Sequence, residues 1–416
     1  MNRALIVDPL TASARASSRS APPLWLLALL TLSGTLAMHI FAPALPSAAR
    51  DLGVGAGIME LTVSLYIAGL AFGQLVYGPL SDRFGRRPVL IAGLALYTGS
   101  GFAAAVAPGV ATLIAARLLQ ALGGCAGLAL ARAMVRDTAP PLESARRLAL
   151  LNLMVTLGPG LAPILGSALN ATAGWRAILV LLCALGIALL LLAWRLLPET
   201  APVRASADLS RLGRDYRSLL RSPAFLGFAI GGGCATTSMY AFVAAAPFIL
   251  VYELKRPAYE VGPSLAVMVV GVWLGSALAS RLISRVAAPL LLIGANLVSV
   301  AAALVLLTMV FVGPLTATGV VGSLFFFTLG AGLASPLALT EAVSVNPRVI
   351  GSASGLYGFA QMAIGALCAA LSGLGPSPAL ATALTLAGAA ALAQASFWIA
   401  LRSRAASRRA RSGDER

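Results

Sequence analysis

The chain has 416 residues, 59% hydrophobic and only 11% charged, where a soluble domain carries about 25% charged residues. The surplus of apolar residues has to face lipid, which excludes an ordinary soluble enzyme or binding module. The formal net charge is +16, but the basic residues sit in short loops and tails and not on one face, so a nucleic-acid footprint is excluded as well.

Residues 1–21 are rich in Ser and Ala, carry Arg3, Arg15 and Arg19, and read as a disordered cytoplasmic tail. The competing reading is a secretory signal cleaved after Ser47-Ala48-Ala49. The apolar run Pro22 to Pro46 is longer than the ~7–15 residues of a signal core, so it is read as a first membrane helix that stays. Crossings are predicted at 23–46, 58–80, 88–107, 110–135, 148–170, 175–197, 223–251, 262–284, 288–312, 315–340, 350–374 and 378–401. Each has roughly the ~20 residues that span the hydrocarbon. Val286 to Thr340 and Val349 to Leu401 hold no charge. Each is too long for one crossing and is divided by a turn, at Gly313-Pro314 and between Gly373 and Pro378.

Twelve crossings return both termini to one side. All of the 30 Lys and Arg except Arg50, Arg117, Arg176, Lys255 and Arg256 then fall on that side, which the positive-inside rule makes cytoplasmic. The longest connection, 198–222, carries Arg204, Arg211, Arg214, Arg217 and Arg221. It separates a six-crossing half (22–197) from a second (223–401), and a basic tail (402–416) follows. The expected fold is an all-α integral membrane protein, twelve transmembrane helices in two six-helix pseudo-symmetric halves. The four cysteines, Cys125, Cys183, Cys234 and Cys368, lie far apart in apolar runs and read as packing residues. One histidine, His39, excludes a multi-histidine metal site, and neither a catalytic constellation nor a cofactor motif is present.

The segment Gly73 to Pro88 joins crossings two and three through Asp82-Arg83-Phe84-Gly85-Arg86-Arg87. Gly85 suits a sharp turn and Pro88 a helix start. Gly78, Leu80, Ser81, Asp82, Arg83, Gly85, Arg86, Arg87 and Leu90 resemble the loop signature of the major facilitator superfamily. A plain basic hairpin explains the arginines but not the Gly, Ser and Asp spacing. Asp82 is expected to pair with an arginine and to cap a helix start, holding the halves together on the cytoplasmic side in one state; the start of crossing eleven, Gly351-Ser352-Ala353-Ser354, is the candidate partner. A degenerate echo, Gly271 to Arg285, follows crossing eight without the aspartate.

Arg117, Gln120, Gly123 and Gly124 resemble the superfamily's fourth-helix signature, which the resemblance ties to proton transfer. An arginine within a membrane helix needs a cavity or a partner; snorkelling is the structural alternative. Gly158, Pro159, Pro163 and Gly166 resemble, with Ala162 and Ser167 in place of glycines, the antiporter signature of exporting branches. A kinked packing helix accounts for them equally. Pro43-Ala44-Leu45-Pro46, Gly174-Trp175-Arg176 and Leu197-Pro198-Glu199-Thr200 are similar to bicyclomycin- and chloramphenicol-resistance exporters. Where those exporters carry an aspartate in crossing one, this chain has His39.

The resemblance implies a monomeric inner-membrane transporter that exports small, largely apolar compounds against proton influx by rocking of its halves, without cofactors. The alternative is a specific metabolite exporter or a proton-independent facilitator of the same fold; a membrane enzyme and a sensor without flux are the remaining rivals. Proton-coupling candidates are His39, Arg117 and Glu60. Substrate-cavity candidates are Gln120, Tyr240, Phe242, Phe248, Tyr66, Tyr357 and Gln361. His39 and Arg117 each lie seven residues from the outer end of their crossing, roughly 10 Å at ~1.5 Å per residue, so they are expected to meet if their helices are neighbours.

Overall fold

The computed structural model describes residues 21–201, 209–346 and 349–414. Among the described residues twelve helical spans are long and apolar enough to cross a bilayer. They run Leu24–Asp51, Ala56–Phe84, Arg86–Ala105, Val110–Thr138, Leu142–Ala173, Trp175–Leu196, Pro223–Glu253, Ala258–Leu282, Ala288–Val312, Ala317–Val343, Ile350–Ser372 and Pro378–Arg404, and are called crossings one to twelve below. Backbone groups in hydrocarbon have to find partners within the segment, and these helices satisfy that demand internally.

Helix contacts repeat with an offset of six. Crossing one packs on four, five and six, and seven on ten, eleven and twelve. Two packs on four as eight does on ten; three packs on four and six as nine does on ten and twelve. This repetition is the pseudo-symmetry of two six-helix halves. The halves meet along two long seams, crossing two on eleven and crossing five on eight.

Several boundaries differ from the sequence reading. Crossing one is broken: an α-helix Leu24–Ile40 gives way to a 3-10 turn Ala42–Ala44, then a helix Leu45–Asp51. Pro43 and Pro46 lack the amide that a continuous helix needs, and they sit at the first positions of the two new pieces. Crossing seven is broken between Thr237 and Tyr240 and ends in a π-helical turn, Ile249–Glu253, behind Pro247. The connection expected as a loop at 198–222 contains a helix, Leu209–Leu220. The last helix continues through the expected tail, Pro378–Asp414. The expected N-terminal tail lies outside the described residues but for Ala21.

At the end bearing the Asp82–Arg87 loop, called the basic end, ion pairs bind helices within each half. Arg86 reaches Asp137 at the end of crossing four, and Arg404 reaches Glu341 at the end of crossing ten. At the opposite end the halves touch each other. Tyr252 donates to the Pro46 carbonyl (3.1 Å), the Gly262 amide to Ser167 Oγ (3.1 Å), and the backbones of Gly57 and Gly373 leave no room for a side chain at Gly57.

Candidate functional site

Among the described residues of the first half, three of the His, Asp, Glu, Lys and Arg side chains lie buried within crossings: His39, Glu60 and Arg117. They occupy three separate places. Arg117 is fully buried and donates to Ala37 O (2.8 Å) and Gln120 Oε1 (2.7 Å). Its guanidinium lies 4.2 Å from the Tyr66 ring centroid and 5.2 Å from that of Phe41. Tyr66 in turn donates to Gly34 O (2.9 Å), where Gly34 and Gly124 bring crossings one and four together. The cation is thus held by neutral acceptors and two aromatic faces, and no described carboxylate forms an ion pair with it. Its Nε, Gln120 Nε2 and the Tyr97 hydroxyl have no hydrogen-bond partner.

His39 and Arg117 do not meet as expected. Arg117 binds the Ala37 side of crossing one. His39 is two residues on, about 200° around the helix, and faces crossings five, seven and eight. His39 Nδ1 lies 2.8 Å from Thr35 O. A carbonyl only accepts, so Nδ1 carries the proton and Nε2 keeps its lone pair in the neutral ring. The ring centroid is 6.0 Å from that of Tyr240.

A narrow cavity opens beside His39, where four crossings of both halves converge. Its walls are Pro159 and Pro163 of crossing five, Met239 and Val243 of crossing seven, and Leu265, Met268, Val269 and Val272 of crossing eight. The two prolines of the antiporter-like segment face it, four residues apart on one helix side. The glycines of that segment do something else. A Cβ on Gly166 would stand 1.9 Å from Ile40 O and one on Gly158 3.1 Å from Thr35 Oγ1, so both let crossing five press against crossing one. The Met and Val positions of crossings seven and eight were missed because apolar residues in apolar helices give no local signal; only the arrangement of the halves selects them.

The other candidates lie elsewhere. Gln120 and Tyr66 belong to the Arg117 cluster. Gln361 donates to Thr236 Oγ1 (2.7 Å) and accepts from Thr237 through its carbonyl (2.6 Å), within the second half. Tyr357 is buried against Gly232, while Phe242 and Phe248 are fully buried, Phe248 against Tyr252. Glu60 lies at the end opposite the basic loops, where its Oε2 meets Ser372 Oγ at 3.1 Å.

In the Asp82–Arg87 loop, Gly85 has φ +95°, a conformation open to glycine at low cost. A Cβ there would stand 2.6 Å from Glu199 Oε2, while Gly78 faces open space. Glu199 accepts from the amides of Arg86 (2.9 Å) and Arg87 (3.2 Å) and so caps crossing three. Arg87 also donates to Trp194 O (2.6 Å), and Arg83 lies over the Phe84 ring. Asp82 pairs with Arg86, as expected, at 2.6 Å. In this conformation the start of crossing eleven is held by the connecting helix, where Ser352 donates to Asp215 (3.4 Å). Asp82 sits on the last turn of crossing two, and its bond to Arg86, the first residue of crossing three, closes over the Gly85 turn.

Twelve crossings in two repeated halves, with a cavity where the halves converge, define a membrane transporter and not an enzyme. The chain belongs to the Major Facilitator Superfamily, whose sequence profile matches residues 27–370. It is 30% identical over 366 residues to Multidrug resistance protein D of Escherichia coli (strain K12), covering 86% of this chain and 90% of that protein. It is 31% identical over 366 residues to the uncharacterized MFS-type transporter YdgK of Bacillus subtilis (strain 168), covering 86% and 89%. Among solved structures, an inward-facing, unoccupied bacterial homolog of the human lysosomal transporter Spinster superposes with a TM-score of 0.72 at 16% identity. That match covers 91% of this chain and 97% of that one. The twelve spans and the superfamily make this a multi-pass membrane protein with bacterial relatives, one of them a multidrug resistance protein.

Proposed function

We infer that this transporter exports small, largely apolar compounds from the cytoplasm, driven by protons moving inward, with the basic end and both termini in the cytoplasm. The observation that carries the reading is the cavity beside His39. Its walls are apolar, both halves contribute to it, and one ionisable side chain lines it. Such a wall selects ligands by apolar area and not by charge. The cavity is narrow in this structure, and a drug-sized ligand needs hundreds of Å³. Binding therefore requires crossings five and eight to part.

His39 is the proton carrier in this reading, with Nε2 as the basic atom. Arg117 keeps a fixed positive charge one helix face away and belongs to the frame of the first half. The name of the Escherichia coli relative, a multidrug resistance protein, supports export of foreign compounds. The second reading, a proton-independent exporter of the same fold, draws on the cavity wall, which includes no acidic side chain to carry a proton. Inverted membrane vesicles with an imposed pH gradient separate the two, using a panel of neutral, cationic and anionic compounds. Uptake of neutral apolar compounds that collapses with the gradient is expected. Uptake indifferent to the gradient overturns proton coupling and leaves the second reading.

A further inference from the structure

We propose that Glu60 is a proton-binding site in the outer seam: in its protonated form it clamps crossing two to crossing eleven, and its ionisation releases the halves. Of the preceding reading this uses the membrane orientation alone, not the substrate or the coupling through His39.

Glu60 is 1% exposed, and its two oxygens are treated unequally. Oε1 is buried without a hydrogen-bond partner, and Oε2 meets one group, the Ser372 hydroxyl of the other half, at 3.1 Å. An ionised carboxylate in that position leaves a charged oxygen unpaired, one of the costliest arrangements in a protein interior.

The proton count at Ser372 points the same way. Ser372 Oγ also lies 2.9 Å from Ala369 O. Crossing eleven ends at Ser372, and the Gly373 amide bonds to Ala370 O, so the Ala369 carbonyl looks to the serine for a donor. A serine hydroxyl has one proton to give, and a carbonyl can only accept. With that proton on Ala369 O, the contact to Glu60 is a hydrogen bond only if the carboxyl supplies its own proton to Ser372 Oγ. Both bonds form when Glu60 is protonated, and one is lost when it is not.

The seam around the pair is as tight as backbone allows. A Cβ on Gly57 would fall 2.4 Å from Gly373 O, and one on Gly373 would fall 3.0 Å from Glu60 Oε2. Water has no place beside the carboxyl until the crossings separate.

Among the described residues no cation pairs with Glu60. Crossing eleven carries no charged residue and two titratable ones, Tyr357 and Cys368. The helix Leu45–Asp51 carries Arg50, exposed, and Asp51, which holds Arg176 and Trp175. On crossing seven, Tyr240 faces His39, and Glu253 accepts from Ser377 Oγ (3.0 Å) and the Ala379 amide (3.3 Å). Crossing four supplies Arg117, held by Ala37 O and Gln120; crossing two's own Tyr66 lies under that guanidinium. His39 of crossing one bonds to Thr35 O.

Closing the outer seam therefore takes up one proton, and opening it releases one to the outside. The sign follows: acid outside favours the closed seam, and each unit rise in outside pH above the open-state carboxyl's range shifts the ratio of open to closed by up to about tenfold.

The test uses spin labels on the full-length protein in lipid nanodiscs, at Gly55→Cys and Pro376→Cys. Both positions are exposed beyond the seam, and the native cysteines are buried. Distances between the labels are measured from acid to alkaline pH. The expected result is one short-distance population at acid pH and a second, longer one that grows with pH. Glu60→Gln, neutral at every pH, is expected to stay short throughout, and Ser372→Ala to show the long population at lower pH than the parent. A parent distance that ignores pH overturns the clamp whether or not the variants fold. A Glu60→Gln protein that opens with pH as the parent does overturns it as well.

Discussion

The two halves repeat one helix arrangement but fill it differently. In the first half, ionisable groups are buried at membrane depth: His39, Glu60 and Arg117. In the second half, crossings nine to twelve carry no charge between Val286 and Thr340 or between Val349 and Leu401, and their buried polar pairs are neutral. Asn296 donates to Ala390 O (3.0 Å) and Gln394 Oε1 (2.7 Å), and Gln361 to Thr236 (2.7 Å). The second half shows that the fold itself requires no charge in the bilayer. The charges of the first half are therefore additions, each costly in hydrocarbon, and they mark where transport chemistry has to be sought. The second half supplies apolar wall: six of the nine cavity residues come from crossings seven and eight.

The sharpest way to break this division is at His39. His39→Ala is expected to abolish efflux driven by a pH gradient while leaving substrate binding intact, and His39→Asp to restore part of the coupling. Efflux in inverted vesicles and ligand binding to the purified protein check the two statements separately. Gln361→Ala, a buried polar change in the other half, is expected to leave gradient-driven efflux in place. Undiminished efflux in His39→Ala removes histidine from the mechanism. Glu341, held by Arg404 at the basic end, then has no place beside the cavity, which leaves Glu60 to be tested as the carrier.

Stability should follow the same asymmetry. Arg117→Ala removes two hydrogen bonds from a buried cation and its contact with the Tyr66 face, and leaves Ala37 O and Gln120 Oε1 without their donor. The expected loss is about 3 kcal/mol. Asn296→Ala removes a neutral pair between crossings nine and twelve, where bonds between membrane helices contribute about 0.6 kcal/mol each. Denaturant titrations in one detergent compare the two directly. Equal losses would mean that the cation stabilises no more than the amide does.

Much of this was legible in the sequence, and the rest failed for physical reasons. Long apolar runs divided by Gly-Pro turns and basic loops gave the twelve spans, since bilayer thickness fixes helix length. The loop signature showed in residue spacing, including the Asp82–Arg86 pair, because that bond closes locally over the Gly85 turn. The meeting of His39 with Arg117 did not follow from equal depth. Depth says nothing about rotation, and two residues along a helix turn a side chain to the other side. Glu199 was visible as part of a motif, but its bonds to the amides of Arg86 and Arg87 join positions more than a hundred residues apart. The contact between Asp215 of the connection and Ser352 of crossing eleven was not legible, because it joins positions 137 apart in sequence.

Glycines sharpen the comparison further. Gly166→Ala drives a methyl group into Ile40 O on crossing one, where backbone has to move. Gly355→Ala, in crossing eleven, meets nothing closer than the Tyr216 hydroxyl at 3.9 Å. Gly166→Ala is expected to cost about 1–3 kcal/mol and to lower the rate of efflux, as overpacking of a close contact does. Gly355→Ala should change the unfolding midpoint little or raise it slightly, since alanine favours helix over glycine by up to about 1 kcal/mol. A destabilised Gly355→Ala would mean that crossing eleven makes a closer contact in another conformation.

The smallest effect is expected at the loop that most resembles the superfamily. Arg86 binds both Asp82 and Asp137, and its side chain is 11% exposed; Asp82 is 50% exposed and Asp137 16%. Asp82, half exposed, is joined to Arg86 across the Gly85 turn between two helices, a pairing that contributes about 0.2–1 kcal/mol. Asp137 ties Arg86 to the end of crossing four in a shielded place, where a hydrogen bond between charged groups contributes about 1.5–3 kcal/mol. Asp82→Asn leaves Arg86 with Asp137 and with Ser81 Oγ at 2.6 Å, so it should express well and keep more of its turnover than Asp137→Asn. In the echo of this loop after crossing eight, Arg281 and Arg285 have no aspartate among them, so a stable hairpin at this end does not depend on that acid. Turnover and unfolding midpoints of the two variants decide the order. If Asp82→Asn loses more turnover than Asp137→Asn while unfolding at the parent's midpoint, Asp82 acts across the halves in a conformation other than this one.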